Sequence, residues 1–313
     1  MLLISQILVP YDFSSCARQA LRQASALARL HDAKLHILHI EVLHEVSPIA
    51  GSPFKKAEQL GRRIAEEHAE ELAMLSDLSI HYASTQNIAA APSILQYAKQ
   101  YNIDIIIAGT HGRRGIGRIF LGSVAEELVA KSACPVLITG ASKATSTFGE
   151  LKNILAPVDF SEHAKESLAY ARAIGANTAA NLHLFHVLPI NSSSVYTDIG
   201  GLAPVYPQQD LRKRALAQLH KLMDHGTPYQ GEIKYALSQG LIASETLRYA
   251  REIQADMIVI GSHGLTGIKR FMLGSVAAKV IRSAQCPVFV VKSFGKSIRS
   301  TNASEHPPIE VSS

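Results

Sequence analysis

Short apolar runs alternate with longer amphipathic stretches along the whole chain. In the first half the short runs fall at residues 6–10, 34–40, 79–84, 104–109 and 135–139, each of strand length and bounded by turn residues. Between them lie stretches with helical spacing at 14–30, 53–76, 91–101 and 122–132; the first carries small and apolar residues at Ala17, Leu21, Ala24 and Ala28. The runs IDIIIAG (103–109) and ADMIVIG (255–261) are apolar almost throughout, as strands covered on both faces by helices must be. Alternation of this kind predicts βαβ units around a parallel sheet, an α/β architecture.

The second half repeats the plan. ILVPYDFS at 7–14 returns as ILAPVDFS at 154–161, and KLHILHI at 34–40 returns as NLHLFHV at 181–187, both offset by 147. GTHGRRGIGRIFLGSVA at 109–125 returns as GSHGLTGIKRFMLGSVA at 261–277, and CPV at 134–136 as CPV at 286–288, now offset by 152. The five-residue gain is placed in the polar stretch 189–210. A period near 150 residues means duplicated domains, not a solenoid. The expected units are a first domain at 1–140, a second at 150–293, and a polar, poorly ordered tail at 294–313, with a Ser-, Thr- and Ala-rich seam at 140–149.

Composition narrows the function classes. The chain has 313 residues, 47% hydrophobic and 18% charged, with 31 basic against 26 acidic residues. These values fit an ordinary globular protein, and the mild, scattered basic excess argues against nucleic acid and for a small anionic ligand. The apolar start lacks the basic flank and cleavage site of a signal peptide and recurs inside the chain, so it reads as a core strand. No apolar run reaches the roughly 18 residues of a membrane span. Three cysteines, Cys16, Cys134 and Cys286, without metal-ligand spacing fit reduced thiols and a cytoplasmic location.

The candidate chemistry sits in one loop. Gly109, Gly112 and, after nine residues, Gly122 with Ser123 are matched by Gly261, Gly264, Gly274 and Ser275. The loop follows the fourth strand of each copy and opens its last helix. Glycine allows close backbone approach to a ligand, and a helix N-terminus offers N–H groups and a favourable dipole to a phosphate. If the first and fourth strands are neighbours, Asp12 and Asp159 face this loop and can accept a ribose hydroxyl or help hold a phosphate-bound Mg²⁺.

Pro10-x-Asp12 and Pro157-x-Asp159, the G-x2-G-x9-G-S loops and the Cys-Pro-Val last strands together resemble the universal stress protein family. The match spans both halves, so the whole chain resembles a tandem member of its ATP-binding branch. The resemblance implies two doubly wound, Rossmann-like domains, each a five-stranded parallel sheet of order 3-2-1-4-5. It implies an adenine nucleotide (ATP, ADP or AMP) as ligand and a role in the stress response. By similarity, Gly112, Gly122, Ser123 and Val124 contact phosphates or ribose, as do Gly264, Gly274, Ser275 and Val276. Backbone groups of Ile40 and Val187 frame the adenine. Pairing of the last strands, 135–139 with 287–291, gives an internal pseudo-dimer, with a homodimer as a further assembly.

Other candidates weigh less. Arg113 and Arg114 face Leu265 and Thr266 between the copies, while Arg118 and Arg270 occupy equivalent places and are the better phosphate ligands. His36 and His39, like His183 and His186, lie three apart on a strand and point to opposite faces, which suits packing better than chelation. His111 and His263 lie inside the loop. No GxxxxGK[ST], G-x-S-x-G or H-E-x-x-H motif is present, so catalysis has no named residues; a weak ATPase or nucleotidyl-transfer enzyme is the alternative to a nucleotide-responsive binding module.

Overall fold

A computed structural model describes residues 2–43, 55–56, 58–67, 75–110, 121–140, 146–188, 208–223, 229–264, 273–292, 294 and 296–298. The first copy contains β1 (Gln6–Pro10), α1 (Ser15–His31), β2 (Lys34–Val42), β3 (Lys55–Lys56), α2 (Glu58–Glu67), β4 (Ile80–Asn87), α3 (Ala90–Gln100), β5 (Ile105–Gly109), α4 (Ser123–Lys131) and β6 (Val136–Thr139). The second contains β7 (Asn153–Pro157), α5 (Glu162–Ala176), β8 (Asn181–Leu188), α6 (Gln208–Lys221), β9 (Ile233–Gln239), α7 (Ile242–Glu252), β10 (Met257–Gly261), α8 (Ser275–Ser283) and β11 (Val288–Val291).

Each first helix has a local reason to start where it does. Ser14 caps α1 by accepting the Ala17 N–H, and Ser161 caps α5 by accepting that of Ala164, both at 3.1 Å. Asp32, with φ of 50°, turns the chain out of α1 in the left-handed conformation. Strand residues then divide by parity. Ile7 and Val9 face the core under α1 and α2, whereas Leu8 faces the core under α3 and α4.

The described strands form one sheet in the order β3-β4-β2-β1-β5-β6-β11-β10-β7-β8-β9. Within each copy the core strands pair in parallel, with Ile7 opposite Ile105 and Met257 opposite Ile154. The halves join where β6 and β11 pair antiparallel, Leu137 opposite Phe289. Both strands are buried along their full length, so the junction continues the core across a pseudo-twofold axis. The two-residue strand β3 lies within the predicted helix 53–76. It pairs antiparallel with Ala83 and Ser84 and covers the outer edge of β4, so the helix begins later.

The connecting segments are packed although the sequence shows no apolar period there. Phe148 in the seam is buried, and Gln23 Nε2 in α1 donates to Ser146 O at 2.8 Å. In the expected loose tail, Ile298 is 1% exposed, its N–H donates to Tyr170 Oη in α5, and its carbonyl accepts from Leu3 N at 2.6 Å. One isolated apolar residue has no periodic pattern to reveal it. Lys292, just past β11, is buried and donates to the Val129 carbonyl in the last turn of α4, so the second copy caps a helix of the first. Burial pushes its ammonium down to about 8. The stretch 189–207, most of the predicted insertion, lies outside the described residues.

Candidate functional site

In both copies the chain goes opposite ways from the first strand: β1 neighbours β2 on one side and β5 on the other. A crevice opens at the carboxyl ends of such a pair, between the loops that leave them. Two turns build it, one after β1 or β7 and one before α4 or α8.

The first turn follows Pro10 and Pro157, the last residues of β1 and β7. Tyr11 N donates to Leu38 O and Val158 N to Phe185 O, each at 2.8 Å, carrying the ladder one residue past the strand. Asp12 Oδ1 then accepts from Ser14 N at 3.1 Å and Asp159 Oδ1 from Ser161 N at 3.0 Å, a side chain closing a turn on its own backbone. Phe13 and Phe160 between them have φ of 67° and 63°, a left-handed conformation that is costly for a bulky residue.

Histidine holds that strained turn in place. Nδ1 of His39 lies 2.8 Å from Tyr11 O and Nδ1 of His186 lies 2.7 Å from Val158 O. A carbonyl only accepts, so Nδ1 carries the proton in both rings. The phenylalanine rings pack on these imidazoles, with centroids 5.4 Å apart for Phe13–His39 and 4.5 Å for Phe160–His186. Burial lowers the pKa of His186, which keeps the ring neutral. The sequence marks these histidines at one place in both copies, yet their role as latches depends on strand pairing. His36, on the other face, bonds Tyr97 Oη and Gln6 Oε1.

The second turn leaves β5 and β10. Gly122 N donates to Thr110 O at 2.8 Å and Gly274 N to Ser262 O at 2.9 Å, so each loop closes on its own start. These glycines are the N-caps of α4 and α8 and supply no side-chain cap. The first-turn N–H groups that follow, at Ser123 and Val124 and at Ser275 and Val276, have no acceptor within the helix. Ser123 and Ser275 are exposed at the crevice rim.

The glycines of the loop have different jobs. A Cβ on Gly264 would stand 2.5 Å from Asp159 Oδ2, so the loop backbone lies directly against the carboxylate of the first turn. A Cβ on Gly109 would instead meet Cys16, at 2.5 Å from Cβ and 2.9 Å from its carbonyl carbon. Gly109 is therefore a packing glycine that lets α1 approach β5. Gly261 meets the backbone of His163 and His263 more loosely, at 3.0 Å or beyond.

The second copy thus brings Pro157, Asp159, Gly261, Gly264, Gly274, Ser275 and Val276 around one crevice, with Val187 one strand away on β8. The first copy does the same for Pro10, Asp12, Gly109, Gly122, Ser123 and Val124, with Ile40 on β2. Gly112, His111, Arg113, Arg114 and Arg118 lie outside the described residues, as do Leu265, Thr266, Lys269 and Arg270. The copies differ beside the crevice. Cys16 Sγ lies 3.6 Å from Thr110 Oγ1, whereas the second copy carries His163, its ring 6.5 Å from that of His263. Arg63 of α2 stacks its guanidinium 4.2 Å from the Phe13 ring centroid. Among the described residues no three His, Cys, Asp or Glu side chains group as a metal site, and no helix is long and apolar enough to cross a membrane.

Comparison with known proteins places this geometry. The model of the universal stress protein family matches twice, at residues 4–140 and 150–292. A universal stress protein of Mycolicibacterium smegmatis is 25% identical over 298 residues, covering 91% of this chain and 96% of that protein. One from Thermus aquaticus is 36% identical over 134 residues, 42% of this chain and 96% of its own length. The crystal structure of an Archaeoglobus fulgidus universal stress protein covers 92% of this chain and 98% of its own, with a TM-score of 0.60 at 23% identity.

Proposed function

Since the chain belongs to the universal stress protein family, we propose that it binds an adenine nucleotide in the crevice of each copy and acts as a nucleotide-responsive module of the stress response. The carrying observation is the pair of uncapped helix starts at Gly122 and Gly274, each beside the carboxyl end of the strand that neighbours the Asp-bearing turn. An anion there meets N–H groups with no acceptor within the helix and the positive end of a helix dipole.

In this reading the N–H groups and hydroxyls of Ser123 and Ser275 hold phosphate, together with the backbone of Gly112 and Gly264. Val124 and Val276 pack beside them. Asp12 and Asp159 accept a ribose hydroxyl or hold a Mg²⁺ bound to the phosphates, and backbone groups of Ile40 and Val187 frame the base. The close fit of Gly264 against Asp159 supports this, because it leaves the carboxylate beside the phosphate-binding backbone. The functional units are residues 1–140 and 150–293, joined as an intramolecular pseudo-dimer in the cytoplasm.

The identity of the ligand is tested by denaturing the purified full-length chain and identifying what it releases. The reading expects an adenine nucleotide, in up to two equivalents per chain. A different nucleobase in its place would overturn the assignment of the base.

A further inference from the structure

Away from the crevice, at the opposite ends of the strands, a second duplicated feature is filled in one copy and open in the other. Asp104 stands just before β5 and Asp256 just before β10. Asp104 Oδ2 accepts from Ser5 N and Gln6 N at 2.7 and 2.8 Å, and Asp256 Oδ2 accepts from Lys152 N and Asn153 N at 2.8 and 2.9 Å. Two residues before each, Asn102 and Gln254 adopt the same left-handed conformation, with φ of 49° and 50°. The two backbones therefore present the same carbonyls around the same carboxylate.

In the first copy this cradle holds an ammonium. Lys296 Nζ lies 2.5 Å from Asp104 Oδ1 and donates to Asn102 O at 2.7 Å and Asn102 Oδ1 at 2.9 Å, while Lys296 N donates to Ala133 O. The lysine comes from the segment that follows the second copy. The segment that follows the first copy runs symmetrically: Leu3 N bonds Ile298 O as Glu150 N bonds Thr147 O. That register sets Ser146 opposite Ser297. Where the first copy has a lysine, the second has, among the described residues, the Ser146 hydroxyl, donating to Asp256 Oδ1 at 2.6 Å.

A groove remains there, of about 380 Å³, whose lining includes Ser146, Gln254, Asp256, Gln285 and Cys286. Its volume lies at the low end of small-ligand sites and exceeds what a lysine side chain needs. Arg251 also lines it; its counterpart at the same offset is Lys99, whose carbonyl accepts from Asn102 N of the filled cradle, so a basic residue at that sequence position accompanies the bound ammonium of the first copy. The geometry points to a binding site for a free aliphatic amine in the second copy, where the primary ammonium of a diamine or polyamine occupies the place that Lys296 fills in the first.

The ammonium rests on Asp256 and the Gln254 carbonyl, and the methylene chain lies along Ala250 and Leu247. Calorimetric titration of the full-length chain with 1,4-diaminobutane at low salt tests the site, with 1-butanol as the uncharged control. One equivalent of diamine is expected and no butanol. Ser146→Lys, which supplies a tethered ammonium, and Gln285→Arg, which sets a fixed cation on an exposed position of the groove, should each weaken diamine binding at least about tenfold, roughly 1.4 kcal/mol. Lys296→Ala should add a second equivalent by opening the first cradle. No binding to the wild-type chain, or binding unchanged in Ser146→Lys and Gln285→Arg, would overturn the proposal. Both variants are far from the nucleotide crevice, so retained nucleotide binding separates this outcome from failure of the functional reading.

Discussion

At the scale of single residues, glycines that look alike in the sequence part company in the structure. Gly109→Ala drives a methyl into the Cβ and carbonyl carbon of Cys16, a clash that α1 cannot relieve without moving. It should cost about 1–3 kcal/mol and lower the melting temperature in a thermal scan. Gly264→Ala meets only the Asp159 carboxylate. Its expected outcome is the reverse, a melting temperature nearly unchanged and weaker nucleotide binding in the second copy. The spacing of these glycines was readable from two copies of one motif; which of them faces ligand and which faces a helix was not, because that depends on a neighbour some 90 residues away in sequence. The same holds for His39 and His186. Their repetition is visible, but their hold on the Tyr11 and Val158 carbonyls follows from the pairing of strands.

At the scale of elements, the alternation of runs locates the strands of each copy to within a few residues, because parallel strands under two helical layers must be apolar on both faces. What escapes is short or unperiodic: the two-residue β3, and the packed segment at 296–298 with its single buried isoleucine. One element-scale consequence is pH sensitivity. His36 on β2 is buried between Tyr97 and Gln6, and burial, with His81 and Lys34 nearby, pushes its pKa down to about 4. The folded state keeps the ring neutral while the unfolded chain protonates it near pH 6.5. Its contribution is therefore complete above pH 6.5 and is lost as the pH falls from there toward 4, by up to roughly 3 kcal/mol. Urea melts at pH 7 and pH 4.5 should show this loss, and His36→Phe should reduce the difference. An equal difference in that variant would place the sensitivity elsewhere.

At the scale of the whole molecule, duplication has produced one continuous sheet whose halves hold each other. β6 and β11 close the core, Lys292 reaches α4, and the segment after each copy reaches the other through Ser146–Asp256 and Lys296–Asp104. Ile298→Ala should therefore cost about 2–4 kcal/mol although it lies 15 residues before the last residue of the sequence, and the effect should appear in a single cooperative transition rather than in one half alone. The symmetry is imperfect where chemistry is at stake: Cys16 stands against His163 beside the crevices, and at the far end of the sheet Lys296 meets Asp104 where the Ser146 hydroxyl meets Asp256.

Both copies should bind adenine nucleotide at the helix starts. The most direct test is equilibrium titration of nucleotide-free, full-length protein with ATP and Mg²⁺, in the wild type and in Gly122→Val and Gly274→Val. Two sites in the wild type and one in each variant are expected, because a branched side chain blocks backbone approach at its own crevice and leaves the other intact. Absence of binding in the wild type, or two sites surviving in both variants, would exclude nucleotide binding at the helix starts.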